Sequence, residues 1–160
     1  MLFRSLVAAA RPAIIRGNAS EIMALCGDRG STKGVDSTEA SGDALEAAKF
    51  LQGSLGSVIC ISGETDFVVG DGTIFRVRNG HPMMTRVTGL GCTATSLCAA
   101  FASVTSDPAR AAAQAMVVMG IAGEMAAEKA EGPGTLQLHL LDALYLLTEE
   151  DILRRIRLEA

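Results

Sequence analysis

Gly89, Gly91 and Cys92 carry the strongest chemical signal in the chain. They lie within Thr85-Arg86-Val87-Thr88-Gly89-Leu90-Gly91-Cys92-Thr93-Ala94-Thr95-Ser96, a glycine turn leading into a run of small residues. Glycines at 89 and 91 remove two side chains where the backbone must turn and let an anion approach closely. The residues from Cys92 onward then read as a helix. A helix start presents unpaired N–H groups and a partial positive charge, which stabilise a phosphate or a developing oxyanion.

Two further stretches, Arg16-Gly17-Asn18-Ala19-Ser20-Glu21 and Ser62-Gly63-Glu64, have side chains suited to the same chemistry. Arg16 offers a forked cation for phosphate, and Asn18 and Glu21 offer oxygens to Mg²⁺ or to its waters. Asn18 and Glu21 also have the spacing of a helix capping box, a purely structural role. Each of these stretches follows an apolar run of strand character. In an open α/β sheet, such loops face one crevice at the carboxyl ends of the strands.

The elements that must hold these residues follow from the hydrophobic pattern. A helix from Leu2 is stopped by Pro12, and Ala13-Ile14-Ile15 is a short strand with Arg16 to Asn18 as the loop after it. Asn18 caps a helix from Ala19 to Leu25, and the polar, Gly-rich stretch from Gly27 to Thr38 reads as a loop. Ser41 caps a helix to Leu55. The unbroken apolar run Ser57 to Ile61 predicts a strand covered on both faces. Asp66 to Val69 and Ile74 to Arg78 flank Gly70-Asp71-Gly72 and form a hairpin. Helices are expected at about 92–104, 108–129, 135–147 and 149–157, with Thr148 and Asp151 as a second capping box. Gly120 and Gly123 allow close packing on the 108–129 helix. The pattern is α/β alternation followed by an all-helical carboxyl end. With only two strands apolar enough to be central, it suggests the carboxyl portion of a larger α/β domain.

Composition narrows the function classes. The chain has 160 residues, 49% hydrophobic, with a formal net charge of −4, enough for one domain spanning 1–160 with a real core. Without a Lys/Arg stripe, and with five Phe, one Tyr and no Trp, it offers no footprint for nucleic acid. No run is long and apolar enough to span a membrane, so a soluble cytoplasmic protein is expected. Cys26, Cys60 and Cys98 read as core thiols, and the four cysteines have no spacing that makes a zinc site with His81 and His139. His81 before Pro82 reads as structural, Met83 and Met84 as core or substrate wall, and Glu64 as a solvated loop acid.

The segments RPAIIRGNASEI, KGVDS, ISGETD, NGHPMMTRVTGLGC, GIAGEMAA, EGPGT and LLDALY together resemble the hydroxyethylthiazole kinases, members of the ribokinase-like superfamily. They extend from Arg11 to Tyr145. Asn18-Ala19-Ser20-Glu21 is similar to the superfamily's N-x-x-E element, associated with Mg²⁺ and phosphate. Cys92 stands where most of the wider superfamily has a catalytic Asp. The resemblance implies a three-layer α/β/α sandwich lacking its amino-terminal part. It implies ATP-dependent phosphorylation of the hydroxyethyl group of 4-methyl-5-(2-hydroxyethyl)thiazole in thiamine biosynthesis or salvage. By the same resemblance Arg16 and Ser62 contact ATP, Gly89 touches the thiazole, Cys92 is catalytic, and Asn18 and Glu21 serve Mg²⁺, chiefly through water. A helix start favours a thiolate, which suits Cys92 to the part of a weak base. A loose phosphoryl-transfer transition state leaves most of the rate to positioning and charge neutralisation. Family members assemble as homotrimers with sites at subunit boundaries and begin with a further stretch that bears strands and much of the thiazole pocket. This chain alone is therefore expected to bind ATP weakly and turn over slowly. It also departs from the family's usual residues in Leu90, between the two glycines, and in Ser62, where Thr is usual.

Three other readings compete. Gly89-Leu90-Gly91-Cys92-Thr93-Ala94 fits the dinucleotide pattern G-x-G-x-x-A, but it lacks the preceding apolar strand and the following acid-tipped strand. A hydroxymethylpyrimidine or sugar kinase would be expected to carry Asp at position 92. A non-catalytic fragment, or half of a split kinase, remains as a reading from a different class.

Overall fold

A computed structural model describes residues 2–27 and 37–160. Its strands are β1 (Ile14–Asn18), β2 (Val58–Ser62), β3 (Asp66–Val69), β4 (Ile74–Val77) and β5 (Leu158–Glu159), and they form one sheet in the order β1-β2-β3-β4-β5. β1 and β2 are parallel, and every later pair is antiparallel. Its α-helices are α1 (Leu2–Ala10), α2 (Ala19–Cys26), α3 (Ser37–Leu55), α4 (Leu90–Ala102), α5 (Pro108–Ala127), α6 (Pro133–Leu146) and α7 (Glu149–Arg155). A 3₁₀ helix, Pro82–Arg86, leads into the glycine turn.

The layers follow from strand alternation. Successive side chains on β2 point to opposite faces. Ile59 and Ile61 join Ile15, Ile22, Ala44, Ala48 and Leu51 in a core beneath α2 and α3. Val58 and Cys60 join Val68, Val77, Ala112, Met116 and Ile121 in a second core beneath α4 and α5. Helices thus cover both faces of a mixed sheet, the α/β/α sandwich expected from the sequence. Burial on both sides is also why β2 reads as an unbroken apolar run.

α5 is buried almost all round, as its composition implies. Small residues let its neighbours come close. A Cβ on Gly120 would lie 2.6 Å from the Asn79 carbonyl oxygen, and one on Gly123 would collide with the Met84 thioether.

Several sequence expectations need correction. Arg16, Gly17 and Asn18 are not a loop; they complete β1, because Gly17 and Asn18 pair in register with Ile61 and Ser62 of β2. α3 begins at Ser37, so Ser41 lies inside it rather than capping it. α4 begins at Leu90, which places Gly91 within the first turn. The carboxyl end is not all helical, since β5 pairs Leu158 and Glu159 with Val77 and Arg76. Nor is the sheet as narrow as two central strands imply, because among the described residues hairpin and terminal strands extend it to five. Most of the Gly27–Thr38 loop and of the KGVDS segment lies outside the described residues.

Candidate functional site

The parallel pairing of β1 and β2 sets Asn18 opposite Ser62 at their carboxyl ends. Along β1, Ile15 faces the α2–α3 core while Ile14 packs on the α4–α5 side. Alternation therefore turns Arg16 toward α4. There its Nη2 donates to Ser62 Oγ at 2.6 Å. Its Nε is buried with no hydrogen-bond partner among the described residues. Its Nη1 lies against the first turn of α4, 2.7 Å from where a Cβ on Gly91 would stand.

That turn is built to expose amides. Gly89 takes the N-cap position with φ 91°, a left-handed conformation that favours glycine, and it provides no side-chain cap. The helical ladder starts with Thr93 N–H donating to Gly89 O at 3.0 Å. The amides of Leu90, Gly91 and Cys92 precede it and have no helical acceptor. A guanidinium thus faces the positive end of a helix, and an anion between them relieves both.

The Asn18–Glu21 capping box is present. Asn18 Oδ1 accepts from Glu21 N–H at 2.9 Å and from Ser20 Oγ at 2.8 Å, while Glu21 Oε2 accepts from Asn18 N–H at 2.8 Å. Both lone pairs of the Asn18 oxygen are therefore engaged, whereas the Glu21 carboxylate keeps acceptor capacity.

Two cavities meet at this point. The larger, about 1020 Å³, is lined by Arg16, Asn18, Glu21, Ser62, Glu64, Asp66, Met84, Leu90 and Gly91 among others. The smaller, about 890 Å³, is lined by Arg4, Arg16, Glu21, Leu25, Gly91, Cys92 and Thr95 among others. Arg16, Glu21 and Gly91 border both. Cys92 is exposed and opens into the smaller cavity, whereas Cys26, Cys60 and Cys98 are buried. A hydrogen bond with Cys98 and burial push the Cys60 thiol up. Gly89 lines neither cavity; it is the left-handed turn that opens α4.

Two features escaped the sequence reading. Asp66 is only 6% exposed, and its Oδ1 accepts from Gly63 N–H at 2.9 Å. Burial raises it to about 6, while the Gly63 bond and the Arg16 charge pull the other way. The available signal is an isolated acid opening an apolar strand. Asn79 is the second, buried and bonded to Glu124 Oε1 (3.1 Å), Arg155 O (2.8 Å) and Arg157 N–H (2.8 Å). Glu124 also pairs with Arg157, so this node ties β5 to α5. His81 has a structural part, its Nδ1 accepting from Met83 N–H at 3.2 Å at the start of the 3₁₀ helix. Glu64, read as a solvated acid, lies on the wall of the larger cavity, as does Met84.

The model of the hydroxyethylthiazole kinase family matches residues 1–150. Among named relatives, the hydroxyethylthiazole kinase of Syntrophus aciditrophicus is 65% identical over 150 residues, covering 93% of this chain and 56% of that protein. That of Granulibacter bethesdensis is 54% identical over 138 residues, covering 86% and 50%. The structure of a hydroxyethylthiazole kinase protein from Pyrococcus horikoshii OT3 superposes with a TM-score of 0.80 at 32% identity, covering 91% of this chain and 54% of that one. The chain spans about half the length of the curated relatives it matches. With a family match over nearly its whole length, this chain belongs to the hydroxyethylthiazole kinase family.

Proposed function

We propose that this chain carries the phosphate-binding and phosphoryl-transfer machinery of a cytoplasmic kinase that moves the γ-phosphoryl group of ATP to the hydroxyethyl group of 4-methyl-5-(2-hydroxyethyl)thiazole. This activity belongs to thiamine biosynthesis or salvage. The observation that carries the reading is the meeting of Arg16, hydrogen-bonded to Ser62, with the first turn of α4 at Gly91, on the border shared by two cavities. The larger cavity takes the nucleotide and the smaller one the alcohol. A transferring phosphoryl group then lies over the start of α4, between Arg16 and the amides. These groups hold its oxygens in line and neutralise their charge.

Cys92 faces the alcohol side, and its thiolate form takes the hydroxyl proton late in the transfer to become the thiol. Glu21 is the residue that fits hydrated Mg²⁺, since a carboxylate beside bound phosphates suits an ion that keeps most of its waters. Asn18, its oxygen engaged in the cap, sets the position of Glu21. When bound, Mg²⁺ supplies charge neutralisation at the phosphate oxygens. Gly89 serves the thiazole indirectly, its left-handed turn setting the first turn of α4 against the smaller cavity. The unit proposed is a single domain over residues 1–160, assembling as a homotrimer.

The test is titration of the 160-residue chain with MgATP, followed by ADP release with and without the thiazole alcohol. Saturable MgATP binding that Arg16→Ala weakens by about tenfold or more is expected. ADP release should be slow and dependent on the alcohol, and it should fall with Cys92→Ala. Absent MgATP binding, or equal binding by wild type and Arg16→Ala, overturns the reading.

A further inference from the structure

We propose that Asp66 is a positioning residue for nucleotide binding: it anchors the Ser62–Thr65 turn and so fixes the Ser62 hydroxyl against Arg16. The inference rests on the reading of the Arg16–Ser62 pair as a phosphate-binding element.

Ser62 ends β2 and Asp66 opens β3, so the turn between them comprises Gly63, Glu64 and Thr65. Ladder pairing stops short of it, with Ile61 opposite Phe67. Within the turn, Gly63 N–H is held by the Asp66 carboxylate at 2.9 Å. The residue before Gly63 carries the hydroxyl that meets Arg16 at 2.6 Å. One hydrogen bond thus fixes the backbone on which the phosphate-side pair depends.

Closing such a turn does not require a charge. A Ser or Asn side chain makes the same type of bond, and burying a carboxylate is unfavourable. Asp66 is nonetheless buried on the wall of the larger cavity, within the field of the Arg16 guanidinium. Its position makes sense if it orders the pair through Ser62, by the Gly63 bond that an amide oxygen at this position would also accept. Glu64 and Thr65 are then displayed toward the cavity by a turn that cannot drift.

The experiment measures MgATP affinity of the wild-type chain, Asp66→Ala, Asp66→Asn, Ser62→Ala and the Asp66→Ala/Ser62→Ala pair, with circular dichroism as the check on folding. Asp66→Ala should weaken MgATP about fivefold or more in the native background and by less than about twofold when Ser62 is already Ala. Asp66→Asn, whose amide oxygen still accepts from Gly63, should stay within about twofold of wild type. In the wild-type chain the Gly63 amide should exchange slowly with solvent. Equal factors in the two backgrounds, no effect of Asp66→Ala, loss in Asp66→Asn, or fast Gly63 exchange each overturns the inference. If Asp66→Ala does not fold, Asp66→Asn and the exchange measurement decide. A wild-type chain that binds no MgATP removes the kinase reading and this inference together, whereas the outcomes just named remove the inference alone.

Discussion

Arg16 Nη1 lies so close to Gly91 that a Cβ there would stand 2.7 Å from it, so strand β1 and the first turn of α4 meet through a cation and a bare backbone. Gly91→Ala sets two effects against each other. In a helix, alanine is favoured over glycine by about 1 kcal/mol. The obstructing atom ends a flexible side chain, which can swing away at little cost. Thermal stability should therefore hold or rise slightly, while MgATP affinity falls about tenfold as Arg16 leaves the amides. Thermal melts and a binding titration on the same variant check both halves, and a loss of stability without loss of binding would contradict the prediction.

Asp66 gives stability a specific pH dependence. Its carboxyl titrates at about 6 in the folded chain against an ordinary value of 3.8, because burial penalises the charged form. Between those values the folded state keeps a proton that the unfolded chain has released, so its contribution to stability falls as pH rises. The contribution is complete below the unfolded value and lost on passing through the folded one, for a total of about 3 kcal/mol. Denaturant unfolding from about pH 4 to about pH 7 should show a steeper decline in the wild type than in Asp66→Asn. Parallel profiles would refute this.

Glu21 and Asn18 share a capping box yet are assigned different chemistry, and substitution should separate them. Asn18→Ala removes the cap of α2 and should cost about 1 kcal/mol in stability. Glu21→Gln keeps a capping acceptor and should melt close to the wild type. The same change removes the charge proposed to serve Mg²⁺. Its nucleotide affinity should therefore respond much less to added Mg²⁺, as titrations at several Mg²⁺ concentrations would show.

The two glycines of α5 should differ sharply. Alanine at 120 meets the Asn79 backbone, which β4, β5 and Glu124 hold in place, and should destabilise by about 1–3 kcal/mol. The atoms nearest to an alanine at 123 belong to the flexible Met84 side chain, which can change rotamer, so its effect should be smaller. Chemical denaturation midpoints of the two variants settle the order.

Local chemistry makes much of this protein legible in its sequence. The Asn18–Glu21 and Thr148–Asp151 boxes, the Gly70-Asp71-Gly72 hairpin turn and the glycine start of α4 depend on neighbours a few residues away. A single stretch of chain therefore carries all the information they need. The buried run in β2 also announced a strand covered on both faces. Tertiary structure decided what depends on partners distant in the chain. Arg16 to Asn18 are strand only because β2 lies beside them to accept the pairing, and β5 exists only because β4 offers an edge. The same holds for the Arg16–Ser62 bond, separated by 46 residues, and for the node joining Asn79 to Glu124 and Arg157. Asp66 shows the difference most plainly. In sequence it is one acid among many, and only the folding of helices over both faces of the sheet takes its carboxylate out of water and gives it Gly63 and Arg16 for company.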